Sequence, residues 1–227
     1  MRRDSSVIAD RNTSGAEGAT AVEIAAAWLF RAAILLTALV HGVRGNYPFL
    51  LICTAGLVLV VIPALILRTN KVNIPVELEL VLLWWLVADM TLGRLASLYD
   101  SSVWYDKALH LGNSILLGML AFLAAYVLCL TGRLHTPMVV TGLLIVMLAL
   151  GIGAIWEILE YFSDLAFGYG AQGSPLLDPL DDTMWDLVLD GAGGLLGGIF
   201  GPLYLRHSRR SRARLRYFAE VSRSPDL

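Results

Sequence analysis

The chain has 227 residues, of which 57% are hydrophobic and only 16% are charged, and its formal net charge is -2. Soluble domains carry about 25% charged residues, and a mean hydropathy of +0.67 indicates more apolar surface than a single soluble core buries. The composition therefore excludes an ordinary soluble domain and favours a protein of the lipid bilayer.

The first 22 residues are polar. A cleavable secretory signal would need a short apolar stretch soon after the basic start, and the first apolar segment lies too far into the chain for that. The sequence predicts a disordered cytoplasmic tail over residues 1–22, followed by an uncleaved first span.

Six apolar segments follow, at about 23–42, 49–67, 78–98, 108–130, 137–163 and 184–205. A helix needs about 20 residues to cross the hydrocarbon core, and the backbone must satisfy its own hydrogen bonds there, which leaves helices or a closed barrel. The segments are continuously apolar and not alternating, so they are helices. The predicted fold is all-α, a polytopic transmembrane bundle of about six spans over residues 23–205.

The positions of Lys and Arg predict the orientation, because cytoplasmic loops are enriched in both. With the N-terminus inside, the inner segments hold most of these residues, and the outer loops hold only Arg44 and Lys107. Both termini are therefore predicted to be cytoplasmic. The corresponding location is the cytoplasmic (inner) membrane of a bacterium, crossed several times.

The segment 206–227 is predicted to be a basic cytoplasmic tail, since it contains the run RHSRRSRARLR. Such a run is found in nucleic-acid sites, but next to a last span it more often fixes topology and contacts anionic lipid headgroups. We therefore expect lipid headgroups and not nucleic acid as its partner.

Cys53 and Cys129 both lie in apolar segments near opposite faces of the membrane, which predicts two small buried residues and no disulfide.

Ionisable residues converge on the predicted outer side of the last three spans. Residues three or four apart share one face of a helix, so each of these spans presents an acidic stripe. The stripes are Asp106 with His110, then Glu157, Glu160 and Asp164, and then Asp182, Asp186 and Asp190.

Other ionisable residues have simpler expected roles. We expect Asp182 and Asp178 to cap the last span or lie in solvent. Arg31, in the first span, is expected to snorkel or to pair within the bundle.

This cluster contains more acids than bases. A carboxylate inside a bilayer costs about 2.5–3.5 kcal/mol on insertion scales, so shared protons or a bound cation are expected. Imidazole and carboxylate donors suit Zn, Mn or Fe. The sequence predicts one divalent metal ion held by His110, Glu160 and Asp186, although His110 as a simple interfacial hydrogen-bonding residue stays open.

Three further acids complete the predicted site. We expect each of them either to hydrogen-bond a metal ligand and orient it, or to act as a general base. They are Glu157, Asp106 and Asp190. The sequence contains no H-E-x-x-H motif, no paired cysteines and no Gly-rich phosphate loop.

The last span also has glycines four apart, namely Gly193 with Gly197 and Gly194 with Gly198, which predicts close helix packing.

Several of these runs resemble the YjdF-like inner-membrane proteins, a family of unknown function, and more distantly the VanZ-like proteins. The runs are 105–113 (YDKALHLGN), 156–160 (WEILE), 172–173 (QG) and 181–187 (DDTMWDL), and the resemblance extends over about 78–205. In the family, Gln-Gly is followed by Asp-x-Trp-Asp, whereas in this chain it is followed by SPLLD at 174–178. The resemblance implies a small bacterial membrane protein with an outward-facing polar set, and for VanZ-like members a link to glycopeptide resistance.

Three functions remain open from the sequence. The first is a metal-dependent enzyme, or its relic, that acts on a lipid or lipid-linked envelope substrate at the outer leaflet. The second is a transporter for a cation or proton, for which Asp89 near mid-membrane, one turn from Arg94, is the relevant residue. The third is a non-catalytic envelope or resistance factor whose polar cluster stabilises the fold.

Overall fold

The structure is a computed structural model that describes residues 20–69, 76–168, 170–172 and 177–221. Within these ranges the secondary structure is helical, without a strand, as the sequence predicted. The elements are α1 (Ala21–Val43), α2 (Tyr47–Thr69), α3 (Val76–Leu86), a π-helix (Val87–Leu95), α4 (Leu98–Ser101), α5 (Val103–Leu130), α6 (Met138–Phe167), α7 (Pro179–His207) and α8 (Arg209–Val221).

Four of these helices, α1, α5, α6 and α7, are long and apolar enough to cross a membrane. Within α2 the apolar helical stretch is shorter, Tyr47–Ile62. The segment predicted as the third span, 78–98, falls on α3 and the π-helix. A helical membrane protein with four candidate spanning helices among the described residues is therefore established.

Helix α1 begins with a capping box. The Thr20 hydroxyl accepts a hydrogen bond from the Glu23 amide at 3.2 Å, and the Glu23 carboxylate accepts one from the Thr20 amide at 2.7 Å. This reciprocal pair satisfies amide groups that the first turn of a helix leaves without partners. Residues 1–19 of the predicted tail lie outside the described residues, and the last two residues of the predicted tail belong to α1.

The chain divides into two compact units. Among the described residues, the N-terminal unit comprises 20–69, 76–109, 170–172 and 177–183, and the C-terminal unit comprises 110–168 and 184–221. In the N-terminal unit, α1, α2, α3 and the π-helix bury one apolar core. Its members are Ala27, Ile34, Ala38, Phe49, Cys53, Leu83, Val87 and Met90.

Polar contacts also join the helices of the N-terminal unit. The Arg31 guanidinium of α1 donates to the buried Glu79 carboxylate of α3, which confirms the expectation that Arg31 pairs within the bundle. The hydroxyls of Thr37 and Thr91 lie 2.9 Å apart and hydrogen-bond α1 to the π-helix. Burial of an ion in an apolar environment is tolerated when its partner is in place.

The π-helix is a feature that sequence periodicity did not predict. A wider turn shifts the backbone hydrogen bonds, and π-helical turns are frequent at functional sites. Here the Tyr105 hydroxyl donates to the Ala88 carbonyl at 2.7 Å. Tyr99 packs so closely on Gly93 that a Cβ at this position would overlap its ring.

In the C-terminal unit, α5 and α7 approach each other through glycines. A Cβ at Gly118 would lie only 2.9 Å from the Gly194 carbonyl oxygen, and one at Gly197 would overlap the Ile115 carbonyl. The glycine pattern of the last span therefore does mark close packing, as predicted. Such contact is possible only where the side chain is a hydrogen atom.

The cysteine prediction is correct in part. Both thiols are free, and Cys53 is buried. Cys129 is exposed, so the expectation that it is buried was wrong. It lies one residue from the end of α5.

Replacement of Gly197 by Ala should destabilise the protein by about 1–3 kcal/mol, because the new methyl group overlaps the α5 backbone. Gly112→Ala is the matched control on α5, since nothing lies within 4 Å of its Cβ position. Gly112→Ala should leave stability equal or raise it by about 0.5–1 kcal/mol, as Ala does in helices. Melting temperatures in detergent test this; equal melting of the two variants would contradict the close packing.

Candidate functional site

Four predicted site residues come together in the C-terminal unit, on three helices. His110 lies at the start of this unit's part of α5, Glu157 lies on α6, and Asp186 and Asp190 lie one turn apart on α7. All four side chains are buried, with 2–8% of each residue exposed. The structure therefore brings together four of the residues that helical spacing placed in the predicted cluster.

The His110 ring contacts a carboxylate through each of its nitrogens. Its Nδ1 lies 3.2 Å from Asp190 Oδ2, within hydrogen-bond distance. Its Nε2 faces two carboxylates, with Glu157 Oε1 at 3.6 Å and Asp186 Oδ1 at 4.0 Å. One side of the imidazole is thus hydrogen-bonded, and the other faces two oxygens at distances longer than a hydrogen bond.

Asp190 is held in place by more than the imidazole. The Ser114 hydroxyl, one helical turn after His110, donates to Asp190 Oδ1 at 2.6 Å. The carboxylate lies against Gly153 of α6, where a Cβ would overlap Asp190 Oδ2. Ser114 was not among the predicted site residues, although its spacing of four from His110 was a signal that could have found it.

The electrostatics of this cluster require neutralisation. Three buried carboxylates surround one imidazole, so even a protonated His110 leaves an acidic surplus. In a low-dielectric interior such a surplus is costly unless protons or a cation offset it. An imidazole nitrogen with carboxylate oxygens is also a donor set that suits Zn, Mn or Fe, so the residues present fit a divalent metal ion.

Glu160, predicted as a metal ligand, lies one turn beyond Glu157 on α6. Its carboxylate is half-buried and accepts a hydrogen bond from the Trp156 indole at 3.0 Å. The contacts with His110 described above are made by Glu157, Asp186 and Asp190. The sequence could not separate Glu157 from Glu160, because residues three apart share one helix face.

Asp106 belongs to the N-terminal unit, where it forms an ion pair with Lys107, which also pairs with Asp182. The Lys107 ammonium lies 3.1 Å from Asp106 Oδ2 and 2.5 Å from Asp182 Oδ1, and it is itself buried. This ion pair joins the first turns of α5 and α7. The single positive charge of Lys107 lies between two of the predicted acidic residues and offsets half of their combined negative charge.

The expectation that Asp182 caps the last span or lies in solvent was wrong. Helix α7 begins at Pro179, so Asp182 lies within its first turns and is buried against Lys107. The capping role belongs to Asp178, whose carboxylate accepts the Leu180 amide at 3.0 Å. Of the loop before α7, residues 173–176 lie outside the described residues.

Asp89 forms a separate polar group around the π-helix of the N-terminal unit. The Tyr99 hydroxyl donates to Asp89 Oδ1 at 2.8 Å, and Arg94 Nε lies 3.6 Å from the same oxygen. The pKa of the Tyr99 hydroxyl is raised, mainly because the side chain is buried and secondly because the Asp89 carboxylate is near. Tyr99 is therefore a neutral hydrogen-bond donor. The predicted proximity of Asp89 and Arg94 is confirmed.

Comparison with known protein families gives a match. The model of a family described as "Predicted membrane protein (DUF2238)" matches residues 26–207. A family of membrane proteins agrees with the resemblance to YjdF-like proteins; the VanZ-like resemblance stays a prediction. No curated protein and no solved structure matches the chain.

Gly153→Ala should displace the Asp190 carboxylate, because the added methyl group would occupy its place. We expect a loss of about 1–3 kcal/mol of stability, as for overpacked buried sites. Gly151→Ala, on the same helix with nothing within 4 Å of its Cβ position, should not lower stability. Thermal unfolding of both variants in detergent tests this, and a Gly153→Ala protein as stable as Gly151→Ala would contradict the described position of Asp190.

Proposed function

The chain belongs to the DUF2238 family of predicted membrane proteins, and from this premise we propose that it is a metal-dependent enzyme of the bacterial cytoplasmic membrane. It holds one divalent ion, Zn, Mn or Fe, at His110, Glu157 and Asp186. Its substrate class is a lipid or lipid-linked envelope molecule at the outer leaflet. The observation that carries the proposal is the two-sided environment of the His110 imidazole.

Asp190 prepares His110 for this role. When Nδ1–H donates a hydrogen bond to Asp190, at 3.2 Å, the lone pair of the neutral ring is on Nε2, towards Glu157 and Asp186. A carboxylate behind a ligating histidine is a recurrent arrangement that sets the tautomer and raises the basicity of the ligand. Ser114 strengthens it by holding the other oxygen of Asp190.

The spacing of the donors also supports a metal. Bonds of about 2.0–2.1 Å in a tetrahedral site place neighbouring donor atoms roughly 3.3 Å apart. The distances of 3.6 and 4.0 Å from Nε2 to the two oxygens are close to that value. This ligand set differs from the sequence prediction in one member, since Glu157 replaces Glu160.

A bound divalent ion would supply Lewis acidity and a water molecule of lowered pKa. The chain's own residues would hold and orient it: His110, Glu157 and Asp186 as ligands, and Asp190 as the residue that positions the imidazole. Glu160, half-buried and one turn away, is available as a general base. Asp106, paired with Lys107, is the least suited of the predicted residues to accept a proton.

Elemental analysis of the purified protein tests the centre. The wild type, loaded with Zn or Mn and then desalted, should retain one ion per chain. His110→Ala and Glu157→Gln should lose the ion, because each removes a ligand. Asp190→Asn should weaken metal affinity by about 10–100-fold, as expected for a residue behind a ligand.

Glu160→Gln is the matched control, since it makes the same change one turn along α6 and should retain the metal. Metal content is compared only among variants that are folded, as judged by their melting temperatures. Metal lost from Glu160→Gln but kept by Glu157→Gln would restore the ligand set predicted from the sequence. No metal in any folded protein would overturn the proposal and favour a non-catalytic envelope factor or a cation or proton transporter.

The topology proposed for this function has six spans and both termini in the cytoplasm. The distribution of Lys and Arg supports it, and α2 together with α3 and the π-helix lies at the second and third predicted spans. The C-terminal helix α8 carries five arginines, at 209, 210, 212, 214 and 216. On the cytoplasmic face this charge would bind anionic lipid headgroups at about 1 kcal/mol per residue.

Single cysteines introduced into a Cys53→Ser, Cys129→Ser background test this topology. Ser101→Cys should react with a membrane-impermeant maleimide in intact spheroplasts, because it would lie outside. Asn70→Cys and His135→Cys should react only after the membrane is permeabilised. Labelling of Asn70→Cys from the outside would contradict the second span, and protection of Ser101→Cys in intact spheroplasts would contradict the third.

A further inference from the structure

The N-terminal unit contains a cavity of about 520 Å³ that is separate from the residues proposed to hold a metal. It lies where the end of α1, the start of α2, the end of the π-helix and the start of α5 meet residues 170–172. Small-molecule sites have volumes of roughly 300–1,000 Å³. The cavity is therefore large enough for a small ligand.

His41 is the residue that points to a ligand. It lines the cavity and is 8% exposed, and its Nε2 has no hydrogen-bond partner among the residues that the structure describes. Its ring packs on Phe49, with centroids 4.7 Å apart. A buried polar atom without a partner costs about 1–3 kcal/mol, and a ligand hydroxyl in the cavity would remove that cost.

The wall also carries side-chain amides and carboxylates. Asn46 accepts the Phe49 amide through its side-chain oxygen at 3.4 Å, which leaves its NH₂ group as a donor. Gln172 and Asp100 also line the cavity. A hydroxyl group donates one hydrogen bond and accepts two, so it can pair with every one of these side chains.

The charges of the wall argue against an ionic ligand. Of the charged residues that line the cavity, three are acidic (Asp100, Asp106 and Asp182) and one, Arg94, is basic, so an anion would be repelled. A cation would compete with Arg94, which lies 5.4 Å from the ring centroids of both Phe49 and Tyr99. A neutral ligand rich in hydroxyl groups meets neither obstacle.

We propose that this cavity binds a sugar, with His41, Asn46 and Asp100 as hydrogen-bonding partners and the aromatic wall against its ring. The sugar is either free or the headgroup of a glycolipid, since the chemistry of recognition is the same. The proposal rests on the N-terminal unit alone and is independent of the metal centre.

The experiment uses the full chain in lauryldimethylamine oxide, a detergent without a sugar headgroup. Methyl and octyl glycosides of glucose, galactose, mannose and N-acetylglucosamine are titrated by calorimetry, the octyl compounds below their micellar concentration. Octyl phosphate and octyltrimethylammonium carry the same chain with charged heads. Every titration is repeated after chelation, so that loss of metal and loss of sugar binding are measured separately.

Two variants test the assigned residues. His41→Leu removes the imidazole but keeps an apolar side chain against Phe49, so its melting temperature should not fall, while its affinity for the sugar should fall about tenfold, the equivalent of one hydrogen bond. Asn46→Ala should weaken binding to a similar extent. His135→Leu, the same change at an exposed residue outside the cavity, should bind as the wild type does.

Binding of a methyl and an octyl glycoside would support a sugar site, and binding of octyl glycosides alone would identify a glycolipid headgroup. The proposal is overturned if no glycoside binds or if only the phosphate or ammonium compound does. It is also overturned if His41→Leu and Asn46→Ala both keep wild-type affinity.

Discussion

Contact between the backbones of α5 and α7 is the constraint on which the C-terminal unit depends. Gly193 lies so close to α5 that a Cβ there would be 2.6 Å from Ser114 Cβ and 2.7 Å from the Leu111 carbonyl oxygen. Asp and Ser side chains are short, so Ser114 reaches Asp190 at 2.6 Å only because the two helices are this close. The glycines, which contribute no chemistry themselves, therefore set the geometry of the polar cluster.

A second constraint is that charge in an apolar environment must be compensated locally. In the N-terminal unit Arg31 pairs with Glu79, and Lys107 pairs with Asp106 and Asp182. The cluster around His110 differs, because one imidazole faces three carboxylates. That arrangement is the basis of the metal centre that we propose.

The sequence was informative where a periodic pattern has one physical outcome. Continuous apolar runs must be helical in lipid, so the helices occur where they were predicted, and glycines four apart marked a close contact. Spacing of four placed Asp186 and Asp190 on one face of α7. Spacing was insufficient for Glu157 and Glu160, because a shared face does not tell which of two residues meets the next helix.

What the sequence by itself determined was the helical membrane class, the positions of the helices and the faces that carry acids, since these follow from hydropathy and helical period alone. Only the tertiary structure decided the partner of each ionisable group: Asp190 for His110, Lys107 for Asp182, and Trp156 for Glu160. The π-helix and the cavity lined by His41 were likewise not visible in the sequence. The reason is physical: partner choice depends on the rotation and separation of packed helices to within about an ångström, and the period of a single helix carries no information on either.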